Sequence, residues 1–170
     1  MPGNVSSVHP RKLYDTLLAC PGPEARARSA FDFLRNRAAS DGGFMFLARR
    51  GDLVLAASSH HGEPPEDLVN EARRIWKRAF DSVPDDVQTR TLDAKAIEAA
   101  ASMPPPAPHW TSASLGLAFE RRVLGTYRGV RWCPIGVVFL KAGPSLIPIR
   151  HVHIEALTNA IIDAGDLGEV

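Results

Sequence analysis

Cysteine is nearly absent from this 170-residue chain. Cys20 and Cys133 form neither a paired metal-ligand motif nor a disulfide framework. Charge of one sign is lacking as well. Twenty Lys and Arg against 19 Asp and Glu leave a formal net charge of +1, where a general nucleic-acid binder would carry a basic excess. Lysine is scarce, present only at Lys12, Lys77, Lys95 and Lys141, so arginine carries most of the positive charge. Long apolar runs are missing too. The longest, Leu53–Ala57 and Ile135–Leu140, fall far short of the roughly 20 residues that cross a bilayer. The opening Met-Pro-Gly-Asn-Val-Ser-Ser has neither the basic region nor the apolar core of a secretory signal. These absences predict a cytoplasmic, reduced protein with no membrane or nucleic-acid partner. Its length and 45% hydrophobic content allow one domain with a real core.

What is present is a regular succession of amphipathic segments. After a short polar start over 1–9, Pro10–Cys20 reads as a helix with Leu13, Leu17 and Leu18 on one side. Pro21-Gly22-Pro23 stops it, and Glu24–Ser40 carries Ala27, Ala30, Phe31, Leu34 and Ala38 at helical spacing. Arg26, Arg28, Arg35 and Arg37 fill the remaining surface, and Asp41-Gly42-Gly43 is expected to end the helix. Phe44–Ala48 and Leu53–Ser59, joined by Arg49-Arg50-Gly51-Asp52, read as a β-hairpin. Both strands are almost continuously apolar, which predicts a mid-sheet position. Glu66–Phe80 is a helix with acids early, cations late, and Val69, Ala72, Trp76, Ala79 and Phe80 as its buried face. A short strand at Val87–Leu92, a brief helix from Asp93 to Ala101 and a Pro-rich stretch at Met103–Trp110 follow. Ser112–Glu120 alternates as a strand, though a helix is also open. Arg121–Val130 reads as a turn region punctuated by Gly125 and Gly129, Trp132–Lys141 as the last strand, and Ile149–Ala164 as the closing helix.

Several residues invite a chemical reading, each with a plainer one beside it. His60-His61 precedes Glu63, Glu66 and Asp67, but adjacent histidines on an extended segment point to opposite faces, so a solvated loop is favoured over a metal site. His151 and Glu155 are spaced as helix neighbours, which suits a surface pair or a pH-sensing one. Cys133, with Arg131 near and no histidine close by, reads as a packed thiol rather than a nucleophile. The set Arg121, Arg122, Tyr127, Arg128, Arg131 and Trp132 could hold phosphate or stack on bases. However, Gly125 and Gly129 lack the following Lys and Ser or Thr of a phosphate loop, which favours a charged turn with cation–π packing. On the closing helix, Ile149, Val152, Ala156, Leu157, Ala160, Ile161 and Ala164 form a stripe wider than one sheet face needs. It predicts a two-fold homodimer, with Val152, Ala156 and Ile161 at the interface.

The order of elements resembles the GAF family of small-ligand sensor and dimerisation domains over residues 24–165. The resemblance is carried by the helix ending at DGG, the hairpin FMFLARRGDLVLAASS, the helix EDLVNEARRIWKRAF, the strand CPIGVVFLKAG and the helix IRHVHIEALTNAIIDAG. It implies an α+β fold, a central antiparallel sheet with helices on both faces, in a single domain over 10–165 with a tail at 166–170. It also implies a pocket near Ala94–Ser114, with His109 and Trp110 at its mouth and Arg131 among the ligand-binding residues. The chain has no Asn-Lys…Phe…Asp-Glu signature of the cyclic-nucleotide-binding subtype. It lacks the Cys-His neighbours of the bilin-binding subtype and the pocket cysteines of the methionine-sulfoxide-reducing subtype. The expectation is therefore a non-catalytic cytoplasmic sensor with no nameable cofactor, a small-molecule ligand of unspecified identity and a signalling partner. Its terminal helices would shift when the pocket fills. With the chain ending at Val170, it would be a stand-alone regulator or a fragment of a larger receptor. The alternative is a pure interaction module whose pocket is filled by Phe44, Met45, Phe46 and Trp110.

Overall fold

Arg50 and Gly51 both take left-handed φ angles, 54° and 85°, and make the two-residue turn whose twist suits a hairpin. That turn joins β1 (Gly43–Arg49) to β2 (Asp52–Ser58). The computed structural model describes residues 9–60, 62–81, 109–143 and 146–167. The expected strand at 87–92, the helix at 93–101, residues 103–108 of the Pro-rich stretch and His61 lie outside these. The other elements are α1 (Pro10–Leu18), α2 (Pro23–Ala38), α3 (Glu66–Asp81), β3 (His109–Ser112), β4 (Leu117–Arg128), β5 (Arg131–Lys141) and α4 (His151–Asp163). The strands form one antiparallel sheet in the order β2-β1-β5-β4-β3, so the fold is mixed α+β.

Strand alternation divides the core between two layers. Met45, Leu47, Leu124, Val138 and Leu140 pack with α1, α2 and α4. Phe44, Phe46, Phe119, Val137 and Phe139 pack with α3. Helices therefore cover both sides of the sheet, and the near-continuous apolar sequence of β1 and β5 follows from burial on both faces. β2 departs from the mid-sheet expectation. It is an edge strand, with Val54 37% exposed. A bulge between Met45 and Phe46 shifts the register from Ala57 to Leu55. It moves Ala57 into the α2 layer, although Leu53 belongs to the α3 layer.

Three further expectations change. Residues 121–128 belong to β4 instead of a turn, and the turn is only Gly129-Val130 between Arg128 and Arg131. Gly125 lies mid-strand because the Trp132 ring covers it; a Cβ there would come within 2.7 Å of the indole. The α2 helix ends on Ala39 in the left-handed region, φ 56°, rather than on the glycines. Gly43 instead serves a close approach, since a Cβ would meet the Phe139 carbonyl oxygen at 2.1 Å. On α3 the buried face centres on Leu68, Ala72 and Ala79, with Val69 and Trp76 half-buried and Phe80 49% exposed.

The last described turn is part of the core. Arg26, expected on the surface, is buried and donates from Nη1 to both oxygens of Asp166 at 3.0 Å. Its Nε reaches the Leu17 carbonyl and its Nη2 the Cys20 carbonyl. Arg50 N–H donates to the Leu167 carbonyl at 3.2 Å.

Candidate functional site

His109 and Trp110 are neighbours on β3, so the pleat sends their side chains to opposite faces of the sheet. Trp110 joins the α3 layer, where the sheet presents aromatic rings to the helix. Phe139 on β5 is the hub, with ring centroids 6.0 Å from Phe46, 6.2 Å from Phe119 and 5.7 Å from Trp110. Phe44 meets Phe119 edge-on at 5.9 Å and stacks on His60 at 4.9 Å. The four phenylalanines are at most 2% exposed. Met45 is buried too, but on the opposite face.

Acidic side chains of α3 lock this layer shut at the β3–β4 edge. Asp67 accepts from the Ser112 hydroxyl at 3.0 Å and the Ser114 N–H at 3.3 Å. Glu71, buried, accepts from Arg74 at 3.0 and 2.7 Å and from Arg121. Burial alone would push the Glu71 carboxyl up, but the two guanidiniums more than offset it and hold the group below its ordinary value.

His109 faces the other way, opposite Glu120 in register, into a group of titratable residues between β4 and the start of α4. Arg122 donates to the Ile149 carbonyl at 2.8 Å, and burial lowers its pKa against the pull of Glu120. Burial raises Glu120, with Arg122 and His109 opposing. His151 is pushed down by burial; Glu155 pulls it back and the Arg122 charge lowers it further.

The folded chain thus binds a proton at His151 less readily than the unfolded chain does. The stability this contributes is present above the ordinary histidine value of about 6.5 and is lost as pH falls through the lower folded pKa. Glu120 has the opposite sign, because its raised pKa makes protonation favour the folded chain. Urea unfolding midpoints at pH 7.5, 6 and 5 should therefore fall on acidification. His151→Gln should flatten or reverse that fall, and an unchanged slope in the variant would contradict the assignment.

The arginine-aromatic set does not converge, because its members alternate along β4. Arg121 binds Glu71 on the α3 side, whereas Arg122 lies on the α4 side. Arg128 also reaches α4, at Asn159 (3.0 Å) and Asp163 (2.9 Å). Tyr127 and Trp132 pack at 5.0 Å, and the Trp132 indole N–H donates to the Ala79 carbonyl at 3.2 Å. Arg131 is exposed at the hairpin end. The β4 partners of His109 and Arg131 are Glu120 and Arg128, eight positions apart, or about 25 Å along a strand. Arg131 and the His109–Trp110 pair therefore do not share a site.

The closing-helix stripe is largely consumed within one chain. Ala156 is 9% and Ile161 0% exposed, both in the α1–α2–α4 layer, whereas Val152 is 37% exposed. The Tyr14 hydroxyl donates to Asp163 at 2.6 Å and ties α1 across α4. Both cysteines are free. Among the described residues no group of three or more His, Cys, Asp or Glu converges as metal ligands, and no helix is long and apolar enough to cross a membrane. Sequence reasoning missed the burial of Arg26 and the acid locks of α3. Its one available signal was the placement of Asp67 and Glu71 a helical turn apart. Compared with known proteins, the chain matches no family model, no curated protein and no solved structure.

Proposed function

We propose that this chain is a GAF-like, non-catalytic regulatory module of signal transduction that acts by contact with a protein partner, its sheet face filled by its own rings. The observation that carries this reading is the interlocked set Phe44, Phe46, Phe119 and Phe139 under α3. Four phenylalanine rings in edge-to-face contact, each at most 2% exposed, leave little room for a guest among them. The order β2-β1-β5-β4-β3 with helices on both faces agrees with the resemblance in layout. Two free cysteines suit the reducing cytoplasmic setting the composition suggests.

Native mass spectrometry of the purified chain, followed by the same sample denatured, tests the reading. The expected native mass is that of the polypeptide alone or a whole multiple of it. A small molecule retained natively and released on denaturation would overturn the self-filled reading in favour of a ligand sensor. A doubled native mass would identify the homodimer, whose contact through α4 would have to centre on Val152 rather than on Ala156 or Ile161.

A further inference from the structure

The strand β4 turns a largely polar row toward α4. Alternation puts Glu120, Arg122, Leu124, Thr126 and Arg128 on that side, and of these Leu124 alone is apolar. The Thr126 hydroxyl is fully buried there with no hydrogen-bond partner among the described residues, which weakens the middle of the contact. The polar ties lie nearer the two ends of the helix. Arg128 holds the far end through Asn159 and Asp163, and the Tyr14 hydroxyl donates to Asp163 as well. Arg122 holds the near end through the carbonyl of Ile149, a buried residue, at 2.8 Å. That near end is poised to come free. Arg150, at the N-cap, makes no side-chain capping bond, and the first turn holds no acidic residue to offset the positive end of the helix dipole. His151 stands half-buried in this turn. The charged and titratable groups around it are Glu120 and Arg122 from β4, His109 from β3, and Arg150, His153 and Glu155 on its own helix. Burial, and then the Arg122 charge, make the docked imidazole harder to protonate against the pull of Glu155.

We propose that the start of α4 is an acid-released latch: when His151 takes a proton, residues 147–152 lift from β4 and bare Ile149. Beside it, Ile147 and Val152 are already 52% and 37% exposed, so release makes one continuous apolar strip. The rest of the helix stays docked, because Leu157, Ala160 and Ile161 are buried in the layer with α1 and α2. Tyr14 and Arg128 hold the Asp163 carboxyl below its ordinary value, so the far tie stays charged at the pH where His151 titrates. Glu120 works against release, since burial raises its pKa and its protonation favours the docked state. His153 lies outside the latch, fully buried with its ring 5.4 Å from Phe33, and Arg37 stands 6.0 Å over that Phe33 ring. The latch is on the sheet face opposite the α3 layer, so it holds whatever fills that layer.

The test is amide hydrogen exchange of the whole chain, read residue by residue by NMR at pH 7.5 and 5.5 and corrected for the intrinsic rate at each pH. The His153 and Ile154 amides donate to the Arg150 carbonyl and report the first turn. Their protection should fall about threefold or more on acidification, relative to the amides of β1. His151→Gln cannot gain a charge and should abolish the fall. Glu120→Gln removes the group that opposes release and should deepen it. Unchanged protection in the wild-type chain would overturn the latch, and so would an equal loss throughout the chain, which is global loosening. A fall that persists in His151→Gln would hand the response to another group, such as His153, and would overturn it too. The His151 ring signals give a check that needs no variant. They should titrate below the ordinary histidine value of about 6.5, and titration at or above it would sink the proposal.

Discussion

Phe139→Ala is expected to lower the unfolding free energy by about 3–5 kcal/mol, the range for deleting a buried aromatic ring. The side chain is fully buried on the strand between β1 and β4, and three other rings rest against it. Those neighbours are anchored on three different strands, so they cannot all move inward to fill the vacated space. Urea titration should show a large fall in midpoint with an unchanged slope. The cavity is lined by apolar rings and should stay dry, so benzene should stabilise the variant and leave the wild-type chain unaffected. A loss below about 1 kcal/mol would show that the cluster collapses freely. Stabilisation of the wild type by benzene would reveal a space already open in the native chain.

The second large effect is expected at Arg26. The Arg26 and Asp166 side chains are 8% and 6% exposed, and breaking a buried pair from one side costs about 3–5 kcal/mol because the survivor is left charged and dry. Arg26→Ala also strands the carbonyls of Leu17 and Cys20, which places it at the upper end. Asp166→Asn should cost less, since the amide oxygen still accepts one bond. A double-mutant cycle with Arg26→Met and Asp166→Leu should recover much of the loss, because the apolar pair leaves no orphaned charge. Near-additive losses in that cycle would show that the pair is not what joins the α1–α2 corner to the end of α4.

Much of the architecture was legible from local pattern. Pro10 and Pro23 open helices at the first turn, the stripe Ala27–Ala30–Phe31–Leu34–Ala38 is the buried face of α2, and Arg50-Gly51 makes the expected turn. The misreadings share one cause, which is that glycine and arginine mean different things in different surroundings. Gly125 signals a turn in the sequence, yet it sits mid-strand to admit an indole. Arg26 looks like one of four surface arginines on α2, but a carboxylate from the far end of the chain meets it. Phe80 carries the signature of a core residue, but α3 rolls toward Leu68 and leaves it in solvent. The candidate site was not legible as one constellation: most of the expected pocket segment lies outside the described residues, the pleat of the edge strand β3 separates His109 from Trp110, and Arg131 lies at the other end of the hairpin.

Periodicity, caps and turn chemistry act over a few residues, and they are enough to say that these 170 residues make helices around an antiparallel sheet in an α+β chain. Which face each residue serves depends on partners far away in sequence. The α3 acids close on Ser112 and Arg121, Asp166 neutralises Arg26, and Phe139 gathers rings from β1, β3 and β4. A single bulge is enough to move Ala57 into the other layer. Such choices are made by burial and charge pairing in the assembled sheet, where one residue of register or one roll of a helix decides between core, lock and open surface.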